Sequence, residues 1–282
     1  MYHNEFEFDA LTLDSPFSHD GQARPAGALE QGFANRLLGL LLASDLFAAR
    51  NPGPRLWLEG VELATCWDGA AIRFSGERLD QDDLDAFLGC ALFAFRDGGR
   101  TGAARFHLRD LMRLIRPRGR RFAARRLERS LWRLASARIE IEDEAGDIHI
   151  QARLLNTLLC DRAAGICAVD VSPRIMEGLR GAPGVERLLA IRAPLASSAF
   201  HRWLAALLAH GPACLRLELP ALRRLSGLTR QPMPAFRIRA IAALQDFLDL
   251  GTIAAIEPAG PDRLVIERPV ARGEEPACLL LS

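Results

Sequence analysis

The sequence predicts a helix-rich α+β fold of two tandem units with similar layout, and three observations predict it. Apolar residues recur at helical spacing over three consecutive stretches between 82 and 136, and a strand pair follows. The same order of elements returns between 196 and 268. Charge is segregated as well. Residues 1–99 carry 7 Arg against 16 acids, residues 100–135 carry 12 Arg against 2 acids, and the remainder holds 17 of each. One basic block in a chain of formal net charge +1 is the footprint of a localised polyanion site.

Residues 1–30 mix Asp, Glu, Gly, Pro and Ser with little periodicity and read as an acidic, poorly ordered arm. Phe33–Ala49 has helical spacing, ended by Asn51-Pro-Gly-Pro54, which closes an N-terminal region of residues 1–54. Leu56–Leu58 and Ala71–Phe74 read as short strands on either side of a turn at Asp68-Gly69. Asp82–Phe95 is an amphipathic helix with aspartates at its start, where the helix dipole favours negative charge, and Gly98-Gly99 stops it. His107–Ile115 is a short second helix, Arg116-Pro-Arg-Gly119 a turn, and Arg120–Ser136 a longer third helix. Arg138–Glu142 and Ile148–Leu155 alternate like the strands of a hairpin. Three helices followed by a hairpin is the layout of a winged helix-turn-helix, which places a first unit at residues 55–180.

Ala168–Asp170, a helical Pro173–Leu179 and the Gly181-Ala-Pro-Gly184 break read as a linker. A second unit at 185–282 follows: helix Ala196–His210 opened by Ser197 and Ser198, a small strand at Cys214–Leu217, helices Leu219–Gly227 and Pro234–Leu250, and a strand pair at Thr252–Glu257 and Arg263–Arg268. The fold class is thus α+β with two tandem winged helix-turn-helix units.

Other classes find little support. The longest apolar stretches fall short of a bilayer span and the acidic N-terminus does not read as a signal peptide, so a cytoplasmic, non-membrane protein is expected. The six cysteines form no CxxC pair and mostly sit in apolar runs, as buried reduced thiols do. Neither a metal nor a cofactor is expected, and Asp80, Asp82, Asp83 and Asp85 read as helix-start capping residues. No phosphate-loop, dinucleotide, HExxH or GxSxG motif occurs, and with no lysine anywhere, lysine-dependent chemistry is excluded. The expected protein is a binder, not an enzyme.

On a helical wheel of Arg120–Ser136, Ala123, Leu127, Leu131 and Leu134 share a core-facing arc. Arg121, Arg125, Arg129 and Arg133 repeat every four residues on the other side, with Arg126 beside them, and Arg116, Arg118 and Arg120 precede them in the turn. Arginine forks fit phosphate oxygens and the guanine edge, so this is the expected DNA-reading helix. In the second unit, Arg223, Arg224, Arg230, Arg237 and Arg239 lie in an acid-free stretch from Leu219 to Gln245, with Arg239 expected opposite the Ile241/Leu248 face and exposed. If both units share one duplex, Arg125 and Arg239 point the same way, about one DNA turn (~34–36 Å) apart, with Pro173–Pro194 as a hinge.

Arg73-Phe74, Gly76, Leu79 and Asp82-Asp83 resemble the strand, turn and helix start that open the first winged helix of TrfA-type plasmid replication initiators. Leu131-Trp-Arg133-Leu134 is similar to the end of that family's recognition helix, and Ser172-Pro-Arg-Ile-Met176 follows in similar order; the resemblance covers residues 55–257. It implies binding to repeated origin sites (iterons) of double-stranded DNA by a monomer, recruitment of the host replication initiator and replicative helicase, inactive homodimers, and a DNA-facing role for Arg121, Arg125 and Arg129. The sequence departs from the family in an acidic hairpin tip, Glu142-Asp-Glu-Ala-Gly-Asp147, and in having Arg and Ala where Lys, Tyr and Trp are usual. Two alternatives stay open: a winged-helix transcriptional regulator, and a protein-interaction module whose arginine surface grips an acidic partner or the chain's own acidic N-terminus.

Overall fold

Helix α1 (Gln81–Asp97) lies at the centre of the first half's core, and its Leu84, Phe87, Leu88, Ala91 and Leu92 are all buried. Its start is fixed by a reciprocal cap: Asp80 accepts hydrogen bonds from the backbone N–H groups of Asp82 (2.9 Å) and Asp83 (3.3 Å), while Asp83 accepts one from the N–H of Asp80 (2.9 Å). Gly89 permits close approach of the next helix, because a Cβ there would sit 2.3 Å from a Leu111 methyl. The computed structural model describes residues 41–42, 44–49, 55–65, 70–97, 102–116, 124–143, 149–179, 181–195, 198–210, 214–269 and 278–281. The acidic arm and the turn carrying Arg118, Arg120 and Arg121 lie outside the described residues.

After α1 come β5 (Ala103–His107), α2 (Leu108–Ile115) and α3 (Ala124–Ser136), then two hairpins: β6 (Arg138–Asp143) with β7 (His149–Arg153), and β8 (Leu155–Asp161) with β9 (Ile166–Val171). Leu127, Leu131 and Leu134 are fully buried, as their spacing predicts. The strand pairing departs from expectation. The first hairpin extends the antiparallel sheet begun by β2 (Trp57–Glu62) and β3 (Ala70–Glu77), in the order β2-β3-β6-β7. The second hairpin pairs instead with β5, in the order β5-β9-β8. Residues 168–170, expected in a linker, are therefore central strand, and Val169 and Val171 are core residues. Strand β5 was not foreseen; only Ala104 and Phe106 turn inward, too short an alternation to stand out among alanines.

The expected hinge is helical. After α4 (Pro173–Gly178), helix α5 (Gly181–Arg192) begins at the glycine-proline break, since Pro183 lies in the first turn where no N–H is needed. Val185, Leu188 and Leu189 join the same core as Leu84 and Leu127. The N-terminal region is also absorbed: Leu41, Leu42, Leu46 and Phe47 belong to that core. Phe47–Ala48 form β1, pairing in parallel with β4 (Leu79–Asp80), where a helix was expected.

The second half repeats the order: α6 (Ala199–His210), β10 (Cys214–Glu218), α7 (Leu219–Leu225), α8 (Met233–Asp249), β11 (Ala255–Gly260) and β12 (Arg263–Glu267). Its sheet has the order β11-β12-β10, with β13 (Cys278–Leu281) added in parallel on the far side of β10. Phe200, Trp203, Leu215, Leu222, Phe236, Leu244 and Phe247 fill a separate core. Cys90, Cys160 and Cys167 are free thiols, as expected. Cys214 is not: it is disulfide-bonded, on a strand position that lies opposite Cys278 in the register, a proximity that sequence separation hides.

Candidate nucleic-acid interface and the arginine network beneath it

The four aspartates at the start of α1 do more than cap it. Asp83 receives Arg133 (2.7 Å) and Arg55 (2.8 Å); Arg55 also pairs with Asp80. Asp82 receives Arg116 and Arg202, each at 2.9 Å, and also Arg126. Asp85 receives Arg202 (2.6 Å), Arg116 (2.7 Å) and Arg192 (2.7 Å). Burial alone would raise the Asp85 carboxyl, but Arg192, Arg202 and Arg116 outweigh it and hold it down at about 2. Asp80 goes the other way: burial, then the Asp83 charge, push it up to about 6 against the pull of Arg55. Burial lowers the pKa of Arg192, whereas the carboxylates overcome burial at Arg133 and Arg202 and raise theirs.

This network corrects the arginine stripe. Arg133, expected on the solvent side of the third helix, is buried over Asp83 and also donates to Ser130 (2.9 Å). Arg116 and Arg126 likewise turn to the aspartates. The wheel placed these side chains by distance from the leucine seam, but long guanidinium arms reach round a helix to a buried carboxylate. Arg192 and Arg202, from α5 and α6, were missed, because their partners lie more than 100 residues earlier in the chain.

Arg125 and Arg129 remain on the outer face of α3, exposed, with no carboxylate partner among the described residues. Trp132, one turn further on, is 50% exposed. It completes a face of two guanidinium forks and an indole; it was not singled out as a site residue, although its place seven residues after Arg125 was the available signal. Glu128 beside this face is engaged by Arg162 of the β8–β9 turn (2.7 Å), and Arg129 Nε donates to the Arg125 carbonyl (3.3 Å). On α2, Arg109 and Arg113 are exposed and share Asp110. A face of this kind can grip phosphate oxygens or a guanine edge and stack an apolar ring on a base or sugar.

The second unit differs. Arg239 is not exposed as expected: its guanidinium lies 5.3 Å above the Phe200 ring, and burial lowers its pKa. The buried face of α8 is Phe236, Ala240, Ala243, Leu244 and Phe247, so Ile238 and Ile241 point outward at 72% and 47% exposure. Arg237 is exposed and paired with Asp262. Arg223 is half-buried and donates to the Gln231 carbonyl (3.0 Å); Arg224 and Arg230 are exposed. Arg125 and Arg239 are therefore not a matched outward pair. Just before α6, Ser198 contacts His201 Nδ1 (2.6 Å), and His201 Nε2 meets Asp246 (2.8 Å). The same hydroxyl accepts the His201 backbone N–H (3.3 Å), so this Ser-His-Asp chain caps α6 and ties it to α8.

No described helix is long and apolar enough to cross a membrane, and no metal-holding cluster of His, Cys, Asp and Glu is found among the described residues. Fold and surface together define a mixed α/β chain of two helix–strand–helix–helix–hairpin units, the first bearing an arginine-faced third helix. Among solved structures, the chain is similar to a selenomethionine crystal structure of domains 2 and 3 of RctB. The TM-score is 0.52 and the identity 13%, over 86% of this chain and 99% of that one. A second crystal structure of RctB domains 2–3 aligns with a TM-score of 0.44 and 10% identity, over 82% of this chain and 97% of that one. At such identities the likeness is one of fold. No family model and no curated protein matches the chain.

Proposed function

We propose that this protein is a replication-initiator-like DNA-binding protein, in which α3 lies in the major groove and Arg125, Arg129 and Trp132 make the contacts. The observation that carries the reading is the exposed Arg125/Arg129 face on the third helix of a unit whose strand order is β5-β9-β8. That order is what a winged helix requires: the strand between the first two helices pairs with the second strand of the closing hairpin. On this reading β8–β9 is the wing and β6–β7 an insertion. The second unit, β11-β12-β10, is a second winged helix that contributes through Arg224 and Arg230 rather than through α8. The likeness to domains of RctB, a replication initiator, supports the same role. Binding of repeated origin sites on a plasmid and recruitment of a host initiator and helicase belong to the proposal through the TrfA-like motifs alone. Cytoplasmic location and action without catalysis are parts of it too.

The test is duplex binding by fluorescence anisotropy across a salt series. Initiator-type binding gives a log–log slope of about −0.9 per phosphate contact. Absence of binding at low salt, or a slope near zero, overturns the reading and leaves the arginine face to an acidic protein partner.

A further inference from the structure

We infer that Cys160 and Cys167 form a redox-responsive pair, closed to a disulfide by a peroxide, which clamps the β8–β9 hairpin beside α3. The two cysteines are direct register partners on adjacent antiparallel strands, and their Sγ atoms lie 2.7 Å apart. Directly opposed cross-strand positions place Cα atoms about 4.5–5.5 Å apart, inside the ~4.4–6.8 Å range a disulfide accepts, so the bond needs no large backbone movement. Both side chains share the core-facing side of the hairpin with the register pair Leu158 and Val169, which are buried. Cys160 is half-buried and Cys167 buried, so an oxidant reaches Cys160 first. Burial, then the hydrogen bond to Cys160, push the Cys167 thiol up to about 12, keeping it protonated while its neighbour reacts. Cys90 on α1 is wholly buried and its thiol is also pushed up, so it stays a bystander.

The chemistry balances with hydrogen peroxide as oxidant. The Cys160 thiolate attacks one peroxide oxygen, the O–O bond breaks, and the departing hydroxide takes up the proton Cys160 had released. Cys160 is now a sulfenic acid. The Cys167 sulfur attacks the Cys160 sulfur, the S–O bond breaks, and the hydroxyl leaves with the Cys167 proton as a second water. Two thiols and one peroxide give one disulfide and two waters. On the winged-helix reading, which this inference extends, the clamped hairpin is the wing, already tied to α3 through Arg162 and Glu128.

The experiment uses the reduced full chain treated with hydrogen peroxide, alkylated, unfolded and digested with trypsin. Cleavage after Arg162 separates the two cysteines, so peptides 154–162 and 163–174 stay joined only by the disulfide. The joined pair is expected in at least about tenfold excess over Cys160→Ser or Cys167→Ser, to persist in Cys90→Ser, and to vanish with dithiothreitol. The wild-type peptide map decides even if a variant fails to fold, and it needs no DNA, so it stands or falls apart from the proposed function. Free alkylated Cys160 and Cys167, a link through Cys90, or oxygen addition to Cys160 without a link overturns the inference.

Discussion

Helices α3 and α8 occupy the same place in two units of the same topology, yet they show opposite chemistry to solvent. The outer face of α3 carries Arg125, Arg129 and Trp132; that of α8 carries Ala235, Ile238, Ile241 and Ala242, then Gln245, Asp246 and Asp249 toward its end, with its one exposed arginine held by Asp262. Topology therefore fixes where a recognition helix would lie, and surface charge decides which of the two is fit to approach a polyanion. A second contrast lies inside the first unit. Three of the twelve arginines of the basic block, Arg116, Arg126 and Arg133, are spent internally on the α1 aspartates, while Arg125 and Arg129 stay exposed on α3.

The largest effect that tests this division is Asp85→Asn. It leaves Arg116, Arg192 and Arg202 around a neutral group and weakens the tie between α1 and the α5–α6 segment, which Asp82 and Gln81 then hold alone; a loss of about 3–5 kcal/mol is expected in urea unfolding. An unchanged midpoint would mean that the network does not hold the units together. The pH dependence separates two members of the network. Asp85, depressed to about 2 from an ordinary 3.8, contributes stability that is present above pH 4 and lost as pH falls toward 2. Asp80, raised to about 6, acts oppositely: its folded state holds the proton more tightly than the unfolded chain, so stability falls as pH rises from about 4 to 6. Unfolding midpoints between pH 2 and 7 are expected to lose that fall in Asp80→Asn, whose side chain keeps the cap, and to retain it in Asp85→Asn.

The double change Arg125→Ala/Arg129→Ala should lower the salt slope of duplex binding by about 1.8, the worth of two phosphate contacts. Stability should move by no more than about 0.5 kcal/mol, because both side chains are exposed. A slope that stays the same breaks the comparison from the α3 side. The smallest effect is expected at α8: Ile238→Ser with Ile241→Ser should leave duplex affinity and its salt slope unaltered in the same titration. A weakened complex there would mean that the apolar helix also touches DNA.

The sequence by itself determined the elements and their order. The Leu127/Leu131/Leu134 seam, the caps at Asp80 and Asp83, and the repeated helix-and-hairpin layout all follow from spacing within about 20 residues, and the structure contains them. Exposure of Arg125 and Arg129 was legible for the same reason. Only tertiary structure decided which hairpin pairs with β5, since strand pairing depends on residues about 60 apart and β5 offers just two inward side chains. Only tertiary structure turned Arg133 inward and brought Arg192 and Arg202 to Asp85, because a guanidinium follows the nearest buried carboxylate and not the polar side of its own helix. The outward face of α8 was misread for a related reason: apolar residues run more than halfway round this helix, Ile241 lying about 100° from Ala240, and the shape of the Phe200/Phe236/Phe247 core chooses which arc is buried.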